Sequence, residues 1–218
     1  MRKISDIKHA VYINLETRPD RKQKVELELK SVGINHFQRF NAIRLPNGAI
    51  GCSMSHLKCL ENAKKNNLPY VLVVEDDIQF LNPEIFKNQM NKFLKEHTEW
   101  DVVLFAGNVV PPYINVDDTC IKVIKCQTTT GYLVKSHYYD TLIENFRTGI
   151  QNLITTPEDH RIYAIDKHWF KLQEKDNWYL ITPLTVTQRE DYSDIEKRHT
   201  NYTNVMLDME KKWFFPPL

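Results

Sequence analysis

The chain has 218 residues, 42% of them hydrophobic and 26% charged, which is enough apolar material for one full core and too much for a disordered chain. A formal net charge of +1 excludes the broad basic field that sequence-independent nucleic-acid binding requires, so any anion must be bound locally. Cys52, Cys59, Cys120 and Cys126 contain no Cys-x-x-Cys pair and are too few for a disulfide framework, which points to a reducing compartment.

Residues 1–11 carry Lys and Arg but no apolar segment, and no later run approaches the roughly 18 apolar residues of a spanning helix. The expectation is a cytoplasmic protein without a transmembrane segment, or a lumenal one if the chain is cut from a longer protein. No linker or internal repeat interrupts it, so a single domain over 1–218 is expected. Ala10–Leu15 reads as a first strand, and Pro19 with the periodic Val25, Leu29 and Val32 opens a helix that stops at Gly33. Asn14, Arg18 and Arg21 fall at the strand's end and the helix's start, where cations and free N–H groups can receive a phosphate or a base. Residues 36–43 read as a second strand and 45–48 as a turn.

A helix is expected from Gly51 to Asn67, with Ser53, Ser55 and His56 near its start as candidate polar contacts to a ligand. Cys52, His56 and Cys59 share one face of it. That spacing resembles three zinc ligands, although zinc normally draws on more than one element and cysteines are common core residues. Tyr70–Val74 is an apolar run, preceded by Pro69, that ends in Glu75, Asp76 and Asp77. It reads as a strand buried on both faces, in the middle of a sheet. In open α/β sheets ligands lie beyond the carboxyl ends of the strands, so the three carboxylates are delivered to the usual place of chemistry. Adjacent anions repel unless a cation sits among them, and a hard divalent ion, Mn²⁺ or Mg²⁺, takes such oxygen ligands together with substrate phosphates. A solvated acidic turn or a helix cap is the competing reading.

Further on, Asn82 and Pro83 open another helix, residues 101–106 form a buried strand and 107–113 a loop at the same edge. Short strands at 121–125 and 131–134 follow, with Ser136 capping a helix to about Phe146. Residues 157–171 look helical and contain Asp166 and His168. Trp178–Ile181 is a late strand, and the polar run from Thr187 to Asp194, with Gln188 and Ser193, can return to the pocket. Alternating strands and helices argue for an α/β fold with a mainly parallel central sheet, flanked by helices and carrying one antiparallel strand. The apolar end, Trp213–Leu218, is expected to pack on the body or to mediate a homo-oligomer.

Tyr12–Lys22, Gly51–Ala63, Val71–Asp77, Thr129–Ser136, the Asp166 segment and Gln188–Asp194 together resemble glycosyltransferase family 25, in the right order over nearly the whole chain. This family includes lipooligosaccharide and procollagen galactosyltransferases. The resemblance implies a GT-A-type fold, a UDP-sugar donor and a Mn²⁺-type ion held by an Asp-x-Asp-like triplet, which Glu75-Asp76-Asp77 matches with Glu first. It places Glu75 and Asp77 on the metal, and Asn14, Arg18, Arg21, Ser55, His56, Asp76, Gln188 and Ser193 on the nucleotide sugar. Transfer of galactose or glucose to a hydroxyl of a glycan or a hydroxylysine-type protein acceptor follows, with inversion. An inverting enzyme needs a general base opposite the leaving group. Asp166 is the first candidate and His168 the second. Collagen-modifying members tend to carry an acidic pair where this chain has Asp166-Lys167-His168, which bears on the acceptor. Two other readings compete: a metal-dependent phosphohydrolase, which lacks a second acidic motif and a Gly-rich phosphate loop, and a non-catalytic sugar-nucleotide or glycan binder.

Overall fold

The structure is a computed structural model and describes residues 1–211, so the expectations for Trp213–Leu218 lie outside the described residues. In chain order the main elements are β1 (Ala10–Asn14), α1 (Pro19–Ser31), β2 (Phe37–Asn41), α2 (Gly48–Lys65), β3 (Tyr70–Glu75), β4 (Ile78–Phe80), α3 (Pro83–Glu96) and β5 (Val102–Leu104). Then come β6 (Asn108–Val110), β7 (Ile114–Asn115), β8 (Cys120–Lys122), β9 (Lys125–Gln127), β10 (Gly131–Lys135) and α4 (Tyr139–Thr155). The chain continues with α5 (His160–Tyr163), α6 (Ile165–His168), α7 (Phe170–Gln173), β11 (Trp178–Ile181), β12 (Val186–Gln188), β13 (Asp191–Ser193), β14 (Arg198–Thr200) and α8 (Thr203–Leu207).

Eight strands form the central sheet in the order β2-β1-β3-β10-β5-β11-β8-β7. The pairings β1 with β2, β1 with β3 and β5 with β11 are parallel; β10 and β8 run against their neighbours. All the other strands of the sheet point one way, so it is mainly parallel with two reversed strands where the sequence suggested one. β3 sits near the centre and is buried from Val71 to Val74.

Alternate residues of each strand feed opposite layers. Leu72 and Val74 join Tyr12, Val103 and Leu133 under α1 and α3. Val71 and Val73 join Leu104, Tyr132 and Trp178 under α2 and α4. This three-layer α/β arrangement is the expected one. No helix among the described residues is long and apolar enough to cross a membrane.

Three local expectations are corrected. Ser136 does not cap a helix: Ser136–Tyr138 is a single 3₁₀ turn, and α4 then runs nine residues past Phe146, carrying Gly149, Ile150 and Leu153 into the core. The stretch 157–171 is not one helix, because extended backbone at Ala164 (ψ 139°) breaks it between α5 and α6. The loop 107–113 includes β6, which pairs with β9. β4, too short to register as a period, pairs antiparallel with β12 and brings Gln188 opposite Ile78.

Candidate active site at the carboxylate edge of the sheet

The end of β3 and the end of β1 lie side by side, with Glu75 in register with Ile13. Because β10 is reversed, its beginning reaches the same edge: Gly131 pairs with Val74, and the Glu75 N–H donates to the Thr130 carbonyl at 2.9 Å. The connection from β3 to β4 is therefore a tight acidic turn walled by β1 on one side and by the 128–130 loop on the other.

Glu75 has both oxygens occupied. Oε1 meets His56 Nε2 at 3.2 Å and accepts from Thr129 Oγ1 at 2.6 Å, and Oε2 accepts from Gln188 Nε2 at 3.0 Å. Burial disfavours its charge, but the hydrogen bonds from His56, Thr129 and Gln188 and the attraction of His56 outweigh it and hold the carboxyl below its usual range.

Asp76 turns toward β1 and α1. Its Oδ2 accepts from Asn14 Nδ2 at 2.7 Å and its Oδ1 from Arg21 Nη1 at 3.0 Å. Arg21 also lies 3.6 Å from Asp77 Oδ2. Burial nonetheless prevails at Asp76 and raises its carboxyl. At Asp77, burial with the repulsion of Glu75 and Asp76 pushes the carboxyl well above the ordinary range. Asp77 Oδ1 is buried and has no hydrogen-bond partner. A buried, orphaned carboxylate oxygen beside two further acids is where a divalent cation fits, since oxygen donors suit Mn²⁺ and Mg²⁺. Of the two carboxylates expected on the metal, Asp77 offers an oxygen without a partner, while Glu75 Oε1 meets Cys52 and His56.

The segment Gly51-Cys52-x-x-Ser55-His56 divides into two jobs. Asn47 caps α2, accepting from the N–H groups of Ala49 and Ile50. A Cβ on Gly51 would stand 2.4 Å from the Ile43 carbonyl, and Ser55 Oγ accepts from the Ile43 N–H at 2.9 Å while donating to the Gly51 carbonyl at 2.8 Å. Gly51 and Ser55 thus dock the 42–45 loop on the helix, and Ser55 is fully buried in that role. Cys52 and His56, one turn apart, point instead at Glu75, with Cys52 Sγ 3.8 Å from Oε1 and His56 Nδ1 3.1 Å from the Tyr132 hydroxyl. Burial and the carboxylates of Glu75, Asp166 and Asp77 raise the Cys52 thiol. Cys59, the third member of the zinc-like face, packs in the apolar layer instead.

Asp166 opens α6 and faces the same cluster. Its Oδ2 accepts from the Thr128 N–H at 3.2 Å, and burial, reinforced by Glu75, raises its carboxyl. Thr128 itself adopts φ +76°, a left-handed conformation rare for a β-branched residue. His168 does not join the cluster. Its ring packs against Gly149 of α4 and Tyr163, with Lys171 Nζ 3.1 Å from Nε2, and burial lowers its pKa to about 4.

Arg18 and Arg21 reach across to the β13–β14 hairpin. Arg18 pairs with Asp191 at 2.7 Å and Asp194 at 3.2 Å; Arg21 pairs with Asp191 at 3.2 Å and donates to the Tyr192 carbonyl at 2.9 Å. Ser193 stays within the hairpin, accepting from the Glu196 N–H. The structure therefore gathers Asn14, Arg21, His56, Glu75, Asp76, Asp77, Asp166 and Gln188, places Arg18 beside them through Asp191, and leaves Ser55, Ser193 and His168 in other contacts. Sequence reasoning missed Thr128, Thr129, Tyr132 and Asp191. Thr129 and Tyr132 stand in a recognisable segment, but only the reversal of β10 shows that its start meets Glu75.

A family described as glycosyltransferase family 25 (LPS biosynthesis protein) matches residues 44–211. A glycosyltransferase 25 family member of Drosophila pseudoobscura pseudoobscura is 27% identical over 159 residues, covering 58% of this chain and 25% of the relative. A procollagen lysyl hydroxylase and glycosyltransferase of Acanthamoeba polyphaga mimivirus is 23% identical over an alignment of 244 residues, covering 89% of this chain and 26% of the relative. The chain spans about a quarter of the length of these curated relatives. Among solved structures, a glycosyltransferase involved in glycosylation of the PBCV-1 major capsid aligns with TM-score 0.44 and 11% identity over 80% of this chain and 93% of that one. A Drosophila β1,4-galactosyltransferase 7 mutant in complex with manganese, UDP-Gal and xylobiose aligns with TM-score 0.44 and 13% identity over 89% and 75%. On the match over 44–211, which covers more than half of its length, the chain belongs to glycosyltransferase family 25, and its α/β sheet is of the GT-A type that this membership implies.

Proposed function

We propose that the protein is a metal-dependent, inverting hexosyltransferase that moves galactose or glucose from a UDP-sugar to a hydroxyl of a glycan or a hydroxylysine-type acceptor. The observation that carries the reading is Asp77, a half-buried carboxylate just past the end of a central strand, with one buried oxygen unpartnered and its charge opposed by desolvation and by two neighbours. Asp77 would hold a Mn²⁺-class ion, which would supply Lewis-acid stabilisation of the charge that develops on the departing diphosphate. Arg21, already turned toward Asp76 and Asp77, adds a guanidinium on the β1 side, and Arg18 stands behind it. Asn14 fixes the Asp76 carboxylate.

In the transfer step the acceptor oxygen attacks the anomeric carbon while the bond from that carbon to the diphosphate oxygen breaks, its electron pair leaving with UDP. The acceptor proton passes to Asp166. Burial gives that carboxylate a raised proton affinity, and the Thr128 N–H holds one of its oxygens in place. Neighbouring anions thereby acquire separate tasks: Asp77 for the ion, Asp166 for the proton, and Glu75 as the anchor that fixes the turn between them.

The test is a panel of UDP-sugars with Mn²⁺, following UDP release with and without acceptors, beside calorimetry of UDP and Mn²⁺ on the parent and on Asp77→Asn. Metal-dependent UDP binding is expected to disappear in a folded Asp77→Asn protein. Unchanged affinity there would overturn the assignment.

A further inference from the structure

Beyond the hard-cation site at Asp77, the cluster holds a second set of ligand atoms of different chemical character. Cys52 Sγ, His56 Nε2 and Glu75 Oε1 all lie within 4.8 Å of one another. Two of the separations are given directly: 3.2 Å from nitrogen to oxygen and 3.8 Å from sulfur to oxygen. A tetrahedral zinc, with bonds of about 2.0–2.1 Å to nitrogen and oxygen and about 2.3 Å to sulfur, spaces its N···O pair roughly 3.3 Å apart and its S···O pair roughly 3.6 Å apart. These two observed separations come within about 0.2 Å of those values.

The support around the set is also that of a metal site. Cys52 and His56 come from one turn of α2 and Glu75 from β3, so two elements contribute. The other ring nitrogen of His56 faces the Tyr132 hydroxyl at 3.1 Å, a partner that can accept a hydrogen bond from Nδ1–H and leave Nε2 for a cation. Glu75 is further steadied by Thr129 and Gln188. Charge points the same way. Arg21 is spent on Asp76, Asp77 and Asp191, while Glu75 has hydrogen-bond donors and the imidazole but no Lys or Arg within ion-pair distance among the described residues.

The geometry points to a binding site for a borderline-soft divalent cation of the zinc class, formed by Cys52 Sγ, His56 Nε2 and Glu75 Oε1 with a fourth position open, separate from the oxygen-ligand site at Asp77. Binding exchanges one proton from the thiol, and one from imidazole Nε2 where it is present, for the metal, with no change of oxidation state. His97, Asp117 and Cys120 form another compact group among the described residues.

Co²⁺, a spectroscopic stand-in for zinc, tests this on the full chain under reducing conditions. The expected result is a near-ultraviolet thiolate-to-cobalt charge-transfer band that saturates at one equivalent with Mg²⁺ in excess, and is displaced by Zn²⁺. Cys52→Ser should abolish the band, His56→Gln should weaken binding at least tenfold, and Cys120→Ser should change neither. Near-ultraviolet circular dichroism of each metal-free variant establishes that it is folded, and His56→Gln serves in place of Cys52→Ser if the latter is not. No charge-transfer band in the folded parent, a band that survives Cys52→Ser or disappears in Cys120→Ser, or one displaced by Mg²⁺ would each overturn the proposal.

Discussion

Asp166 and Glu75 are both half-buried carboxylates on the same edge, yet their surroundings drive them in opposite directions. Glu75 receives side-chain contacts from His56, Thr129, Gln188 and Cys52, and is held charged. Asp166 accepts one backbone N–H and is pushed toward its neutral form. A general base contributes about 10²–10⁴-fold to the step that takes its proton. Asp166→Asn is therefore expected to lower single-turnover transfer by that range while donor affinity stays within a small factor. Retained transfer would remove Asp166 from the chemistry. The pH profile carries a sign as well. A raised carboxyl is still protonated at a pH where ordinary carboxylates are ionised, and only its ionised form accepts a proton. The acid limb of the transfer rate should thus fall above the usual carboxylate range and be lost in Asp166→Asn. By linkage, folding stability associated with the protonated Asp166 is present at low pH and lost as pH rises through its raised folded-state value.

Among the elements, α2 ties a sequence motif to the site. Its glycine is required by the close approach of the Ile43 carbonyl, so Gly51→Ala must shift either the helix or the 42–45 loop. Overpacking of this kind typically costs about 1–3 kcal/mol. Urea unfolding should register that loss, and a Gly51→Ala protein as stable as its parent would show that the loop yields freely. Chain order and physics explain which features could be read in advance. The β3 run announced itself because Val71–Val74 are apolar on both faces, and α1 because Val25 and Leu29 recur at helical spacing. The carboxylates at the end of β3 followed from that strand alone. β10 was legible as a strand, but its direction was not, since a buried strand reads the same either way. With the direction went Thr129, Tyr132 and Thr128. Ser55 and Ser193 were assigned to a ligand because a hydroxyl in a motif looks the same whether it meets a substrate or the chain's own N–H, as Ser55 does with Ile43.

On the scale of the whole molecule, the site is assembled from residues as distant in sequence as Asn14 and Asp191, joined through Asp76 and Arg21. Such closure argues that the chain unfolds as one unit. Trp100 lies in the layer under α3, and Trp169 and Trp178 in the layer under α4, so tryptophan fluorescence samples both sides of the sheet. Denaturation followed by fluorescence and by far-ultraviolet circular dichroism is expected to give coincident midpoints. Separated midpoints would divide the single domain proposed for this chain.

Thr128 gives that closure a mechanical side. A β-branched residue held at positive φ costs of order 1–3 kcal/mol and persists only where its surroundings insist on it. Here its N–H reaches Asp166, its hydroxyl accepts from Thr130, and the adjoining Thr129 grips Glu75. The loop works as a loaded spring between the Asp166 carboxylate and Glu75 in the acidic turn. A glycine at 128 would let the spring go slack, giving a chain at greater ease with itself and less exact in its aim.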